Sequence, residues 1–466
     1  MPRIERDFLG ERELPDDVYY GVQTLRGIEN FRILGVPVGA ERFLVKALAL
    51  VKKAAALANR DLGALTPEIA AAIVDGCDRL IAGELTEQFP VDFIQGGAGT
   101  STNMNVNEVI ANLALERLGR PKGEYATVSP NDHVNASQST NDVYPTALRL
   151  ALVFRLDRYA EKLRRLQEAF AAKGVELAGV LKMGRTHLQD AVPMSMGDEF
   201  KGVATTLGEE VQRVAESRRL LLEVNLGATA IGTSVNAPEG YPELATRYLA
   251  ELTGLPLVLA HDLVEATSDT GVFVQLSGVL KRTAVKLTKI CNDLRLLSSG
   301  PRAGFGEINL PRLQPGSSIM PGKVNPVIPE VVNQTTFYVM GADLTVTMAA
   351  AAGQLQLNVM EPVIAFSLFT SIRAMGNAVD ALREKCVVGI TANGEHTRDQ
   401  VLGSLGIVTL LNPLFGYKAC SEIAREGFER GVSIHRIVVE ERQLVTQERW
   451  DEIFCFENLV RPRDVR

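Results

Sequence analysis

Apolar residues recur along this chain at helical rather than alternating spacing. Within residues 43–59, Leu44, Leu48, Val51 and Ala55 stand four, three and four positions apart, which predicts a helix. Residues 67–83 repeat the pattern, with Thr66 as the capping residue. From 90 to 103 the text turns to Gly, Thr, Ser and Asn, the chemistry of a loop. The middle third is different. Residues 141–174, 196–226 and 262–299 hold almost no Gly or Pro and keep a helical period. In the last of these, Leu276, Leu280, Leu287, Cys291, Leu294 and Leu297 form one stripe, with Lys281, Arg282, Lys286 and Lys289 off it. A helix of about 35 residues reaches roughly 50 Å, so several side by side predict a long bundle. Stripes too wide for one neighbour predict association of chains through that bundle. From 396 onward short elements return, with Thr446 as a cap and Trp450, Ile453 and Phe454 on one inward face.

Composition narrows the class. Of 466 residues, 46% are apolar and 23% charged, the balance of a folded globular chain. A formal charge of −7 argues against a nucleic-acid partner, so any anion must be met by a local positive field. The five cysteines, at 77, 291, 386, 420 and 455, show no paired spacing, which suggests reduced thiols and a cytoplasmic protein. Residues 1–7 have no apolar core and do not read as a secretory signal. The charge-free run 344–360 is interrupted by Thr345, Thr347, Gln354, Gln356 and Asn358, so it reads as a buried soluble segment and not as a bilayer span.

Four polar islands interrupt the helical text. They are 96–103 (Gly-Gly-Ala-Gly-Thr-Ser-Thr-Asn), 137–142 (Ser-Gln-Ser-Thr-Asn-Asp), 184–189 (Gly-Arg-Thr-His-Leu-Gln) and 316–325 (Gly-Ser-Ser-Ile-Met-Pro-Gly-Lys-Val-Asn). Small hydroxyls, amides and glycines of this kind can aim donors at a carboxylate. Each also has a plain structural reading. The first could be a tight turn, the second an N-cap for the helix after it, and His187 in the third a structural histidine. The fourth resists such a reading, because Pro315-Gly316 and Pro321-Gly322 bracket two serines, and Lys323 and Asn325 follow at once. A loop of this type can close over a small dianion, exclude water and bring a serine to it. No nucleotide-binding glycine fingerprint, Gly-x-Ser-x-Gly elbow or His-pair metal spacing is present in the sequence.

The run Gly316-Ser317-Ser318-Ile319-Met320-Pro321-Gly322-Lys323-Val324-Asn325-Pro326 resembles the signature of the aspartase/fumarase superfamily. The segments 96–105, 137–142 and 184–190 match its other motifs in order, so the likeness covers essentially the full length. The resemblance implies a mainly α, three-domain fold: 1–140 mixed helix and loop, 141–395 a long-helix domain carrying the catalytic loop 316–325, and 396–466 a small helical domain. It implies a homotetramer with a twenty-helix bundle, each active site being shared by three subunits. It also implies that Ser317, as a serinate, removes the proton beside the distal carboxylate and leaves an aci-carboxylate. Thr100, Ser139, Thr140 and Ser318 would hold that carboxylate, while Lys323, Asn325 and Thr186 would hold the other. Asn141 and His187 would face the amino group, with Glu330 as partner to His187. Ser317, His187 and Lys323 are thus the expected catalytic residues. The chemistry implied requires no cofactor. Some members respond to Mg²⁺ at a separate site, but no cluster in this sequence identifies one.

Within the family, Asp92-Phe93-Ile94-Gln95-Gly96-Gly97 and Tyr20-Gly21-Val22-Gln23-Thr24 look like the branch that acts on four-carbon dicarboxylates. The segments 353–362 and 325–334 and the stretch 263–310 are similar to members that release ammonia from L-aspartate to give fumarate; fumarases usually carry Lys where Glu361 stands. Residues 129–135 are closer to a fumarase loop, which keeps class II fumarate hydratase, acting on malate and fumarate, as the alternative. A relative that had lost catalysis would lack the loop serine, the lysine or the histidine, and all three are present.

Overall fold

The computed structural model of this chain describes residues 2–461, and their secondary structure is mainly helical. Among these residues, strands pair only in four two-stranded sheets. Helices Arg42–Asp61 and Pro67–Ile81 fall where the apolar spacing places them, and the Thr66 hydroxyl accepts the Ile69 N–H at 3.4 Å. Five longer helices follow: Thr140–Glu176, Met196–Leu220, Gly271–Leu297, Val327–Ala351 and Glu361–Lys385. The predicted stripe from Leu276 to Leu297 is buried throughout. Thr446 caps Gln447–Ile453 by accepting from Arg449, and Trp450, Ile453 and Phe454 are buried.

Four expectations are revised. The 262–299 pattern is two helices, because the backbone of Asp269 is extended and its carboxylate accepts the Gly271 N–H at 2.9 Å, restarting the helix. The 196–226 pattern stops at Leu220, and Glu223–Val224 instead pairs in parallel with Val258–Leu259. The 90–103 loop ends earlier, since Thr100 already opens the helix Thr100–Arg117. Finally, 344–360 is not buried within one chain: Leu344, Met348 and Leu355 are 61%, 66% and 89% exposed.

The chain divides into two compact units, each with its own packing. The first comprises Met1–Glu161, Gln212–Ala284 and Phe337–Gly376. In it, Arg42–Asp61, Pro67–Ile81 and Thr100–Arg117 pack together, close enough that a Cβ on Gly76 would lie 3.1 Å from the Leu113 side chain. Helix Thr100–Arg117 is buried on every side from Thr102 to Leu115, although it carries Asn103, Asn105, Asn107, Glu108 and Asn112. Such polar burial is tolerated only with partners. Accordingly Glu108 accepts from Gly21, Gln23 and Thr24, and the Asn105 and Asn112 amides donate to the Gln88 and Tyr19 carbonyls. The second unit comprises Lys162–Val211, Val285–Thr336 and Asn377–Arg466. Its core joins Leu181 and Met183 to Val401, Ile407, Leu411, Ile437 and Trp450. Among the described residues, one stretch, Glu361–Gly389, is long and apolar enough to cross a bilayer, as is the bent pair Gly394–Gly403 with Leu405–Arg430 taken together; 67% of the first window is buried, as in a core helix.

Candidate active site

In the first unit the islands 96–103 and 137–142 are brought together. Gly99, at φ +89, launches helix Thr100–Arg117, and a Cβ there would fall 2.4 Å from the Tyr144 ring, so only glycine fits. Thr100 is exposed, and its hydroxyl donates to the Gly97 carbonyl at 2.7 Å. One turn on, Asn103 Nδ2 donates to Thr140 Oγ1 at 3.2 Å. Because that oxygen already accepts, the Thr140 proton is left for an acceptor such as a carboxylate. Ser139 does cap the helix, as its plain reading held: Oγ accepts from Asn141 at 3.3 Å, and Asp142 Oδ1 accepts the Ser139 N–H at 3.0 Å.

Behind these hydroxyls lies a network that the sequence pattern did not reveal. Asn135 Oδ1 accepts from Lys52 Nζ at 2.9 Å and from Asn103 and Asn107 at 3.1 Å each. Lys52, fully buried, also donates to Gln138 Oε1 at 2.9 Å. Burial lowers its ammonium to about 7, against the attraction of Asp142. Burial also pushes the Asp142 carboxyl up to about 7, although three backbone N–H groups hold its charged form. The signal for Lys52 was present: it lies four residues after Leu48, inside the apolar arc of its helix.

In the second unit, His187 occupies the tip of a hairpin. Strands Leu181–Thr186 and Gln189–Ser195 pair with Thr186 opposite Gln189, which leaves His187 and Leu188 as a two-residue turn. Both have left-handed backbones, φ 55 and 62, where hairpins ordinarily place Asn or Gly. His187 is exposed there, in a backbone conformation that is costly for a residue with a side chain. The base of the hairpin is clamped. Glu307, wholly buried, pairs with Arg185 and, at 3.1 Å, with Lys182, which also meets Glu199 at 2.7 Å. The Arg185 guanidinium lies over the Phe305 ring, 4.5 Å from its centre.

The 316–325 segment is a closed loop in the same unit. Gly316 N donates to the Lys323 carbonyl, and Asn325 Nδ2 donates to the Gly316 carbonyl, both at 2.8 Å. Ser317 Oγ accepts from Ile319 N at 3.2 Å and Met320 N at 3.0 Å. Donors aimed at that oxygen favour its deprotonated form. Ser318 and Lys323 are exposed, and among the described residues the Lys323 ammonium has no hydrogen-bond or ion-pair partner. Glu330 stands in the first turn of Val327–Ala351, and no bond joins it to His187 among the described residues. Thr186 is exposed beside His187. No group of three or more His, Cys, Asp or Glu able to hold a metal ion occurs among the described residues.

The chain is similar to known proteins over nearly its whole length. Residues 10–341 match the profile of a family described as lyase, and residues 407–461 match that of the fumarase C C-terminus. The chain belongs to the aspartase/fumarase superfamily of lyases. It is 59% identical over 462 residues to a Pseudomonas aeruginosa protein named aspartate ammonia-lyase, covering 99% of this chain and 97% of that one. To the Escherichia coli protein of the same name it is 55% identical, covering 99% and 96%. Among solved structures, a Brucella melitensis protein titled fumarate lyase:delta crystallin, bound to cobalt, superimposes with a TM-score of 0.96 at 53% identity, over 98% of this chain and 99% of that chain. A class II fumarase from Schistosoma mansoni gives 0.92 at 35% identity, over 97% and 98%.

Proposed function

We propose that this protein is an aspartate ammonia-lyase, which eliminates ammonia from L-aspartate to give fumarate, reversibly. The observation that carries this reading is the 55–59% identity over nearly the whole chain to proteins of that name, against 35% to the class II fumarase. Ser317 takes the proton from the carbon beside the distal carboxylate. The electron pair moves into that carboxylate, then returns to form the carbon–carbon double bond as the C–N bond breaks and ammonia leaves with the C–N pair. Thr100, Ser139, Thr140 and Ser318 hold the carboxylate that gains charge. Lys323, Asn325 and Thr186 hold the other, while Asn141 and His187 face the amine, with Glu330 supporting His187. The two N–H groups on Ser317 Oγ and the available proton of Thr140 support these roles. The carboxylate itself is the electron sink, so the step as written needs no cofactor.

The working form we propose is a cytoplasmic homotetramer whose central helices form a twenty-helix bundle, each site drawing on three subunits. Apolar side chains exposed on helix Val327–Ala351, among them Phe337, Leu344 and Met348, support that association. The test is twofold. Purified protein should release fumarate and ammonium from L-aspartate, and its mass in solution should be four times that of the chain. Inactive Ser317→Ala and Thr140→Ala variants, dissociated and reassembled together, should regain activity if sites are shared; a mixture that stays inactive contradicts sharing.

A further inference from the structure

The loop between Asn225 and Asn236 carries three non-glycine residues with left-handed backbones: Thr229 at φ 57, Ser234 at 54 and Asn236 at 66. Such conformations are costly, above all for a β-branched threonine, and they persist where the surroundings impose them. Around Thr229, from Asn225 to Ala230, the surroundings are the 141–142 positions of the same unit. Asp142 Oδ2 accepts the N–H groups of Gly227 and Thr229, each at 3.0 Å. Asn225 Nδ2 donates to the Asn141 carbonyl at 3.1 Å and to Thr267 Oγ1 at 3.2 Å. In return, Asn141 Nδ2 donates to the Ala230 carbonyl at 2.7 Å.

That last bond has a chemical consequence. A carbonyl can only accept, so it fixes which end of the Asn141 amide is nitrogen. Oδ1 is thereby turned away from Ala230, and it has no hydrogen-bond partner among the described residues on a side chain that is only partly buried. An ammonium group offers donors and no acceptor, so it needs an amide oxygen and gains nothing from an amide nitrogen. We propose that the 225–236 loop is a fifth part of the substrate site, which holds Asn141 with its carboxamide oxygen presented as an acceptor for the amine. This rests on the reading that Asn141 faces the amino group. Asn225 and Thr229 are positioning residues, since they act through Asn141 and its neighbour.

The reverse reaction separates the two partners of the bond being made. In this protein, Asn225→Ala and, independently, the near-isosteric Asn225→Asp, which removes the Nδ2 donor, are expected to raise KM for ammonium roughly three- to tenfold, with KM for fumarate changed less than about twofold. Asn141→Ala is expected to raise KM for ammonium by roughly tenfold or more, the loss of a bond to a charged group. If Asn141→Ala raises it and both loop variants, folded by circular dichroism, leave it unchanged or raise both KM values alike, the loop's role is overturned. If Asn141→Ala itself leaves KM for ammonium unchanged, the placement of Asn141 at the amine fails, and the proposal with it. Should Asn225→Ala fail to fold, Asn225→Asp, which keeps the shape of the side chain and loses its donor, decides the question.

Discussion

Ser317 Oγ lies 3.0 Å from the Met320 amide nitrogen and accepts its N–H, with that of Ile319 beside it. Two fixed dipoles aimed at one hydroxyl oxygen lower the cost of its negative charge, which a serine must carry to act as a base. Ser317→Ala is therefore expected to reduce turnover at least about 10³-fold, while circular dichroism and solution mass stay unchanged. Activity retained by a folded variant would remove Ser317 as the base.

Asn325 latches the same loop through Gly316. Asn325→Ala frees the Gly316 carbonyl and opens the loop at its base, in addition to removing a carboxylate donor. The expected result is a fall of roughly tenfold or more in kcat/KM. Steady-state rates with L-aspartate check this, and an unchanged kcat/KM would show that the latch does not matter.

Glu307 is wholly buried between Lys182 and Arg185 at the base of the hairpin that carries His187. Removing the charge leaves Arg185 without its carboxylate and Lys182 with Glu199 alone, and breaking a buried pair from one side costs about 3 kcal/mol. Glu307→Gln is expected to lower the urea midpoint measurably and to reduce kcat. A variant with wild-type stability would mean that the clamp is energetically idle.

Stability should depend on pH in a direction set by buried carboxyls. Burial pushes Glu361 up to about 8, partly opposed by Arg149, and Glu108 and Asp142 up to about 7. Each folded carboxyl then keeps a proton that the unfolded chain releases near its ordinary value. The stabilisation is whole at low pH and is lost as pH rises through the folded values. Lys52, lowered to about 7, acts oppositely but only above that pH, where the folded amine is neutral and the unfolded one still charged. The thermal midpoint is expected to fall between about pH 5 and about pH 7, and Glu361→Gln to lessen the fall between about pH 5.5 and about pH 8. Calorimetry at those values checks it; a midpoint that rises over this range would contradict the direction.

Much of this was legible in the sequence, and the exceptions have physical causes. The long helices could be read because a 3.6-residue period sustained over many turns has few competitors. The break at Asp269 could not, since an aspartate continues or caps a helix according to a single hydrogen bond. Four polar islands stood out by their glycines and hydroxyls. The 225–236 loop did not, because the apolar run before it extended the helical pattern past Leu220. Lys52 was hidden in the apolar arc of a helix, where its partners Asn135 and Gln138 come from far along the chain.

The most direct measurement is the ultraviolet absorbance of fumarate formed from L-aspartate and from L-malate in separate reactions with the same purified protein. L-Aspartate is expected to give a kcat/KM at least about 100-fold above that for L-malate. Fumarate forming faster from L-malate would contradict the assignment as an ammonia-lyase.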